Sequence, residues 1–84
     1  MKIYHFPGVN RNSIIELINY QVNYIEEEAN ENIFMARNDF CSLFPLIDRA
    51  SENKLITTDE HNLYVGNLLV ILGIEKSIVP WLFR

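Results

Sequence analysis

Leu63-Tyr64-Val65-Gly66-Asn67-Leu68-Leu69-Val70-Ile71-Leu72-Gly73-Ile74 is the stretch on which the fold turns. Only Asn67 is strongly polar in it, so most of its surface has to be covered by the rest of the chain. At about half of the ~20 residues needed to cross a bilayer, it is too short for a membrane span. Two readings compete: a central strand over residues 68–72, or a helix over residues 58–72. Thr57-x-x-Glu60 has the form of a capping box, in which two side chains satisfy orphan amides at a helix start. Gly73 sits where a helix needs a left-handed terminator. Cap and terminator together favour the helix, and apolar residues on every side of it predict a fully buried, central one. Gly66 inside it suggests close approach of another backbone.

Working back from there, Ser51-Glu52-Asn53-Lys54 reads as a polar linker. Ahead of it, Ile33, Ala36, Phe40, Leu43 and Phe44 share one helical face, with Phe34 and Cys41 on its edge. Pro45 cannot donate to a helix interior and clashes one turn back. The expectation is therefore a helix over residues 31–44 that kinks or stops at Phe44, then a short one from Pro45 to about Ser51. Asp48 and Arg49 are adjacent, so they diverge on a helix and form no pair with each other. Cys41 is expected as a small buried hydrophobe, since a nucleophile needs a base and an electropositive setting.

The first helix has the clearest signature. Ser13-x-x-Glu16 has the capping-box form, and Ile14, Ile18, Val22, Ile25 and Ala29 recur at spacings of three and four, with Ile15 beside them. Glu16, Asn19, Asn23, Glu26 and Glu27 lie opposite. Leu17, Tyr20 and Tyr24 form a second apolar shoulder, which either packs on a neighbouring segment or meets a partner, because Tyr is enriched at interfaces. Glu26, Glu27, Glu28 and Glu31 then crowd carboxylates at the helix end. Acidic groups there oppose the macrodipole by some tenths of a kcal/mol each, a cost that a solvated helix end tolerates. The same carboxylates could steer a basic partner.

Both chain ends read as extended arms. Residues 2–6 are β-prone and stop at Pro7-Gly8, so they form either a lone edge strand or an arm lying on the helices. The C-terminal tail carries Ile78, Val79, Trp81, Leu82 and Phe83, and Pro80 interrupts any helix through it. It either folds back over the third helix or presents Trp81 and Phe83, aromatic anchors of the type that dominate binding energies.

Composition narrows function more than any motif does. Eighty-four residues at 49% hydrophobic and 21% charged suit one all-α domain: a bundle of three main helices plus a short one, residues 1–84. A chain this small leaves apolar groups exposed, which favours a protein partner or self-association. The net charge is −4 and the basic residues are scattered, which disfavours nucleic acid. A helix-turn-helix drawn through residues 45–72 would have an acidic, then apolar, recognition helix. A single cysteine and no n-region with h-region point to a cytoplasmic, soluble protein. Ten asparagines and eleven isoleucines against three alanines hint at an AT-rich source, such as a phage or mobile element.

His5 and His61 have no second ligand at metal spacing, the three glycines are too dispersed for a phosphate loop, and no catalytic constellation stands out. No metal, cofactor or enzymatic activity is expected. The function expected is that of a small acidic protein-binding module, an inhibitor, immunity-type factor or regulatory subunit. Its candidate contact residues are Leu17, Tyr20, Tyr24, Glu27, Glu28, Glu31, Trp81 and Phe83. The rival is a nucleic-acid or nucleotide binder whose site is completed by oligomerisation.

Overall fold

The computed structural model describes residues 10–84, and over them the chain is all-α, with three helices and no strand. The β-prone segment 2–6 lies outside the described residues. Helix α1 runs Arg11–Glu31, α2 Ile33–Glu52 and α3 Thr58–Leu72, followed by two short 3-10 turns, Lys76–Ile78 and Pro80–Leu82.

α1 begins one turn earlier than its sequence suggests. Asn10, in an extended conformation, is the N-cap, and its side chain accepts from the Ser13 amide while the Ser13 hydroxyl accepts from the Asn10 amide. Ser13 thus closes a capping box as its third helical residue instead of opening one with Glu16. Asn is at least as good a cap as Ser, and it gains one further turn of hydrogen bonds.

A single residue, Asn32, joins α1 to α2. It is extended, with φ −153° and ψ 98°; its amide donates to the Glu28 carbonyl and its side chain accepts from the Phe34 and Met35 amides. One side chain and one amide thereby serve both helix ends, and the two helices form an antiparallel hairpin.

Pro45 does not end α2, contrary to expectation; the helix continues for seven residues to Glu52, so there is no separate short fourth helix. Pro45 lies about half a turn from the buried stripe of Ala36, Phe40, Leu43 and Ile47, on the outer side. The carbonyl of Cys41, which it leaves unbonded, therefore faces outward. Interior proline costs ~3 kcal/mol. Complete burial of Ile47, at ~1.5–3 kcal/mol, together with that of Ala50, offsets most of this. The same outward geometry exposes Cys41, correcting its expected burial.

α3 keeps its cap and its terminator. Thr57 and Glu60 form the capping box, and Gly73 is left-handed at φ 68°. It is not buried all round, however: His61, Val65, Leu68, Leu69 and Leu72 face inward, while Leu63 is 63% and Val70 81% exposed. The central helix is α2, which forms the larger interface with each neighbour. No backbone of another element comes within 4 Å of where a side chain at Gly66 would start; the Phe83 ring edge lies 3.9 Å from that point. The tail runs back along α3, packing Val79, Leu82 and Phe83 on the core and leaving Ile78 and Trp81 exposed.

Candidate functional site

The hairpin has two faces, and α3 covers one of them. On that side the Arg11 guanidinium donates to the Leu55 carbonyl and pairs with Glu60. Arg37 donates from Nε and Nη2 to the Leu72 carbonyl at 3.3 and 3.0 Å, and the Phe44 ring meets the His61 ring edge-on at 6.1 Å.

About half a turn round α2 and a third of a turn round α1, the other face of the hairpin holds an open groove of about 290 Å³. Leu17, Gln21 and Tyr24 line it from α1; Asp39, Ser42, Leu43 and Leu46 line it from α2. Leu43 forms a buried floor, while Leu17 and Tyr24 stand half-exposed on one wall. Tyr20, 68% exposed, and the exposed Met35 extend the apolar rim.

The contact residues expected on α1 fall on one side of the helix, since Leu17, Tyr20, Tyr24, Glu27, Glu28 and Glu31 recur at three and four residues. The structure brings Leu17 and Tyr24 into the groove wall, with Tyr20 beside them. Glu27, Glu28 and Glu31 continue the line past Tyr24 toward the connector, with Glu28 half-buried and the other two exposed. Asp39 adds a carboxylate from α2, so the connector half of the groove is acidic. Sequence reasoning missed the α2 wall. Asp39, Ser42 and Leu43 lie at i, i+3 and i+4 within the expected helix, and Leu46 joins them at i+7 only because the helix runs through Pro45.

At the tail the two expected residues part company. Trp81 is 73% exposed. Phe83 is half-buried, with its ring edge against Gly66 and the Lys76 ammonium 5.9 Å above its centroid. Phe83 thus packs the tail onto α3 instead of projecting beside Trp81. Leu63, Val70, Ile78 and Trp81 are the exposed apolar groups of α3 and the tail.

A polar cluster, also unforeseen, pins the tail. His61 is completely buried, with Nε2 2.9 Å from Asp48 Oδ1 and Nδ1 3.0 Å from Asn62 Oδ1. Asn62 in turn accepts from the Arg84 amide and donates to the Arg84 carbonyl, which fixes which of its side-chain atoms faces His61. Both ring nitrogens therefore lie within hydrogen-bond distance of a side-chain oxygen. The Arg84 guanidinium bonds Asp48 and Glu52, and Glu52 also pairs with Arg49. Arg84, then Arg49, hold the Glu52 carboxyl below its ordinary value. Hydrogen bonds from Arg11 and the Thr57 amide lower Glu60 to about 2.

Among the described residues, no group of three or more His, Cys, Asp or Glu is placed to hold a metal ion, and no helix is long and apolar enough to cross a membrane. No protein-family model, curated protein or solved structure matches the chain.

Proposed function

We propose that this chain is a protein-binding module acting as an inhibitor, immunity-type factor or regulatory subunit, without catalysis, in the cytoplasm. The observation that carries the reading is the open groove on the hairpin face opposite α3, with half-exposed Leu17 and Tyr24 on its wall. Aromatic and aliphatic groups flanking a concave face are the usual anchors of a protein interface. The nucleic-acid alternative has little support from the cations. Arg11, Arg37, Arg49, Lys76 and Arg84 are all engaged within the chain by carboxylates, a carbonyl or an aromatic ring.

Capture of partners from the native host tests this reading. Wild type should retain a partner that Tyr24→Ala loses and Trp81→Ala keeps. A partner set unchanged in Tyr24→Ala would remove the groove from the account.

Self-association through Leu63, Val70, Ile78 and Trp81 is a second reading, favoured by how exposed these apolar groups are. Sedimentation should then show a dimer that Val70→Arg dissociates.

A further inference from the structure

We propose that the groove between α1 and α2 takes a basic amphipathic helix of a partner protein, which lies opposite α3 and completes a four-helix arrangement. This rests on the protein-binding reading above and specifies its partner.

Shape comes first. Because one residue joins α1 to α2, the two helices run antiparallel, and the groove lies between the Leu17–Tyr24 stretch of one and the Asp39–Leu46 stretch of the other. The groove wall from Leu17 to Tyr24 spans about 10 Å at 1.5 Å per residue, two turns of a third helix, and the acidic line on to Glu31 brings the reach to about 21 Å. Such a helix meets the wall with residues spaced i, i+3, i+4 and i+7, as in other helix-in-groove pairs. The half-exposed Leu17 and Tyr24 and the floor of Leu43 and Leu46 would receive its apolar stripe.

Charge selects among the helices that fit. Asp39 lines the groove, and Glu27, Glu28 and Glu31 follow Tyr24 on the same side of α1. The cations of the hairpin are spent elsewhere: Arg11 and Arg37 bond toward α3, and Arg49, one turn past Leu46, is held by Glu52. Any occupant thus meets net negative charge at the connector half, which attracts Lys and Arg flanking its apolar stripe and repels carboxylates. A second copy of this chain is disfavoured there for the same reason, since it would place like charges together.

Fluorescence anisotropy at ~150 mM salt, where exposed charges act only within ~8 Å, tests the inference with three synthetic peptides of about 18 residues. One has Leu at i, i+3, i+4 and i+7 with flanking Lys; the second replaces Lys by Glu; the third scrambles the Leu/Lys order. The ordered Leu/Lys peptide should bind at least about tenfold tighter than either of the others. Ser42→Arg, on an exposed wall position, should weaken it about tenfold, and a Glu27→Gln/Glu28→Gln/Glu31→Gln triple variant several-fold. Val70→Arg on α3 should leave binding unchanged. Circular dichroism checks that each variant remains helical, and Tyr24→Ala replaces Ser42→Arg should the latter unfold.

Equal binding of ordered and scrambled peptides, or of Lys and Glu peptides, would overturn the proposal. So would sensitivity to Val70→Arg in place of Ser42→Arg, or a concentration-dependent dimer that Ser42→Arg dissolves. If no peptide binds but Tyr24→Ala still loses the host partner, the basic-helix inference fails and the protein-binding reading stands.

Discussion

His61 Nε2 lies 2.9 Å from Asp48 Oδ1, so a wholly buried ring on α3 is bonded to a half-exposed carboxylate on α2. Asn62 extends the connection from the ring to the Arg84 backbone, and the Arg84 guanidinium returns to Asp48. Helices α2 and α3 and the tail are therefore joined through one cluster. His61→Ala removes a filled volume and two bonds, and should cost about 2–4 kcal/mol in urea unfolding. Asn62→Ala should leave the helices folded while the amides of Leu82 and Phe83 lose hydrogen-exchange protection. A parental melt for His61→Ala would show that the cluster does not hold the fold.

Arg11 and Glu60 tie the first turn of α1 to the first turn of α3, and Glu60 also caps α3 by accepting from the Thr57 amide. Its folded value of about 2 lies below its ordinary 4.5. A depressed carboxyl contributes stability that is present above the ordinary value and lost as pH falls through the folded one. The stability gap between wild type and Glu60→Gln should therefore be constant from neutral pH down to about 5, then close between about 4.5 and 2. A gap independent of pH throughout that range would rule out the charge as its origin.

Pro45 sits mid-helix, and its cost is met by burial elsewhere on α2. Pro45→Ala restores a donor to the Cys41 carbonyl without disturbing the buried stripe, and should raise stability by about 1–3 kcal/mol. Urea midpoints at unchanged m-value measure this. A loss of stability would mean that the ring itself is needed where it lies.

Cys41 is exposed on the outer side of α2. A thiol-specific reagent should label it in the folded protein at a rate within a few-fold of that in urea, because the folded chain leaves the thiol accessible. Labelling that waits for unfolding would return it to the interior.

Local chemistry made part of this fold readable. The Thr57/Glu60 box and Gly73 bracket α3 because each acts within its own helical turn, and the isoleucine stripe of α1 follows from periodicity alone. Pro45 misled because its penalty is local whereas the burial that offsets it, of Ile47 and Ala50, is tertiary. That break hid Leu46, and the polar Asp39 and Ser42 gave no apolar stripe to mark the α2 wall, so only the α1 half, Leu17 and Tyr24, was legible. The all-round apolarity of α3 suggested burial, yet two of its apolar groups, Leu63 and Val70, point away from the core. His61, Asp48 and Arg84 are scattered through the sequence, and no spacing rule would join them.

The central claim is that binding uses the hairpin face opposite α3. Amide chemical-shift mapping of the labelled protein on addition of its captured host partner tests it most directly. The account predicts that the perturbed amides cluster at Leu17, Gln21, Tyr24, Ser42 and Leu46, spreading toward Glu31. Perturbations centred instead on Leu63, Val70, Ile78 and Trp81, with the groove amides unmoved, would contradict it.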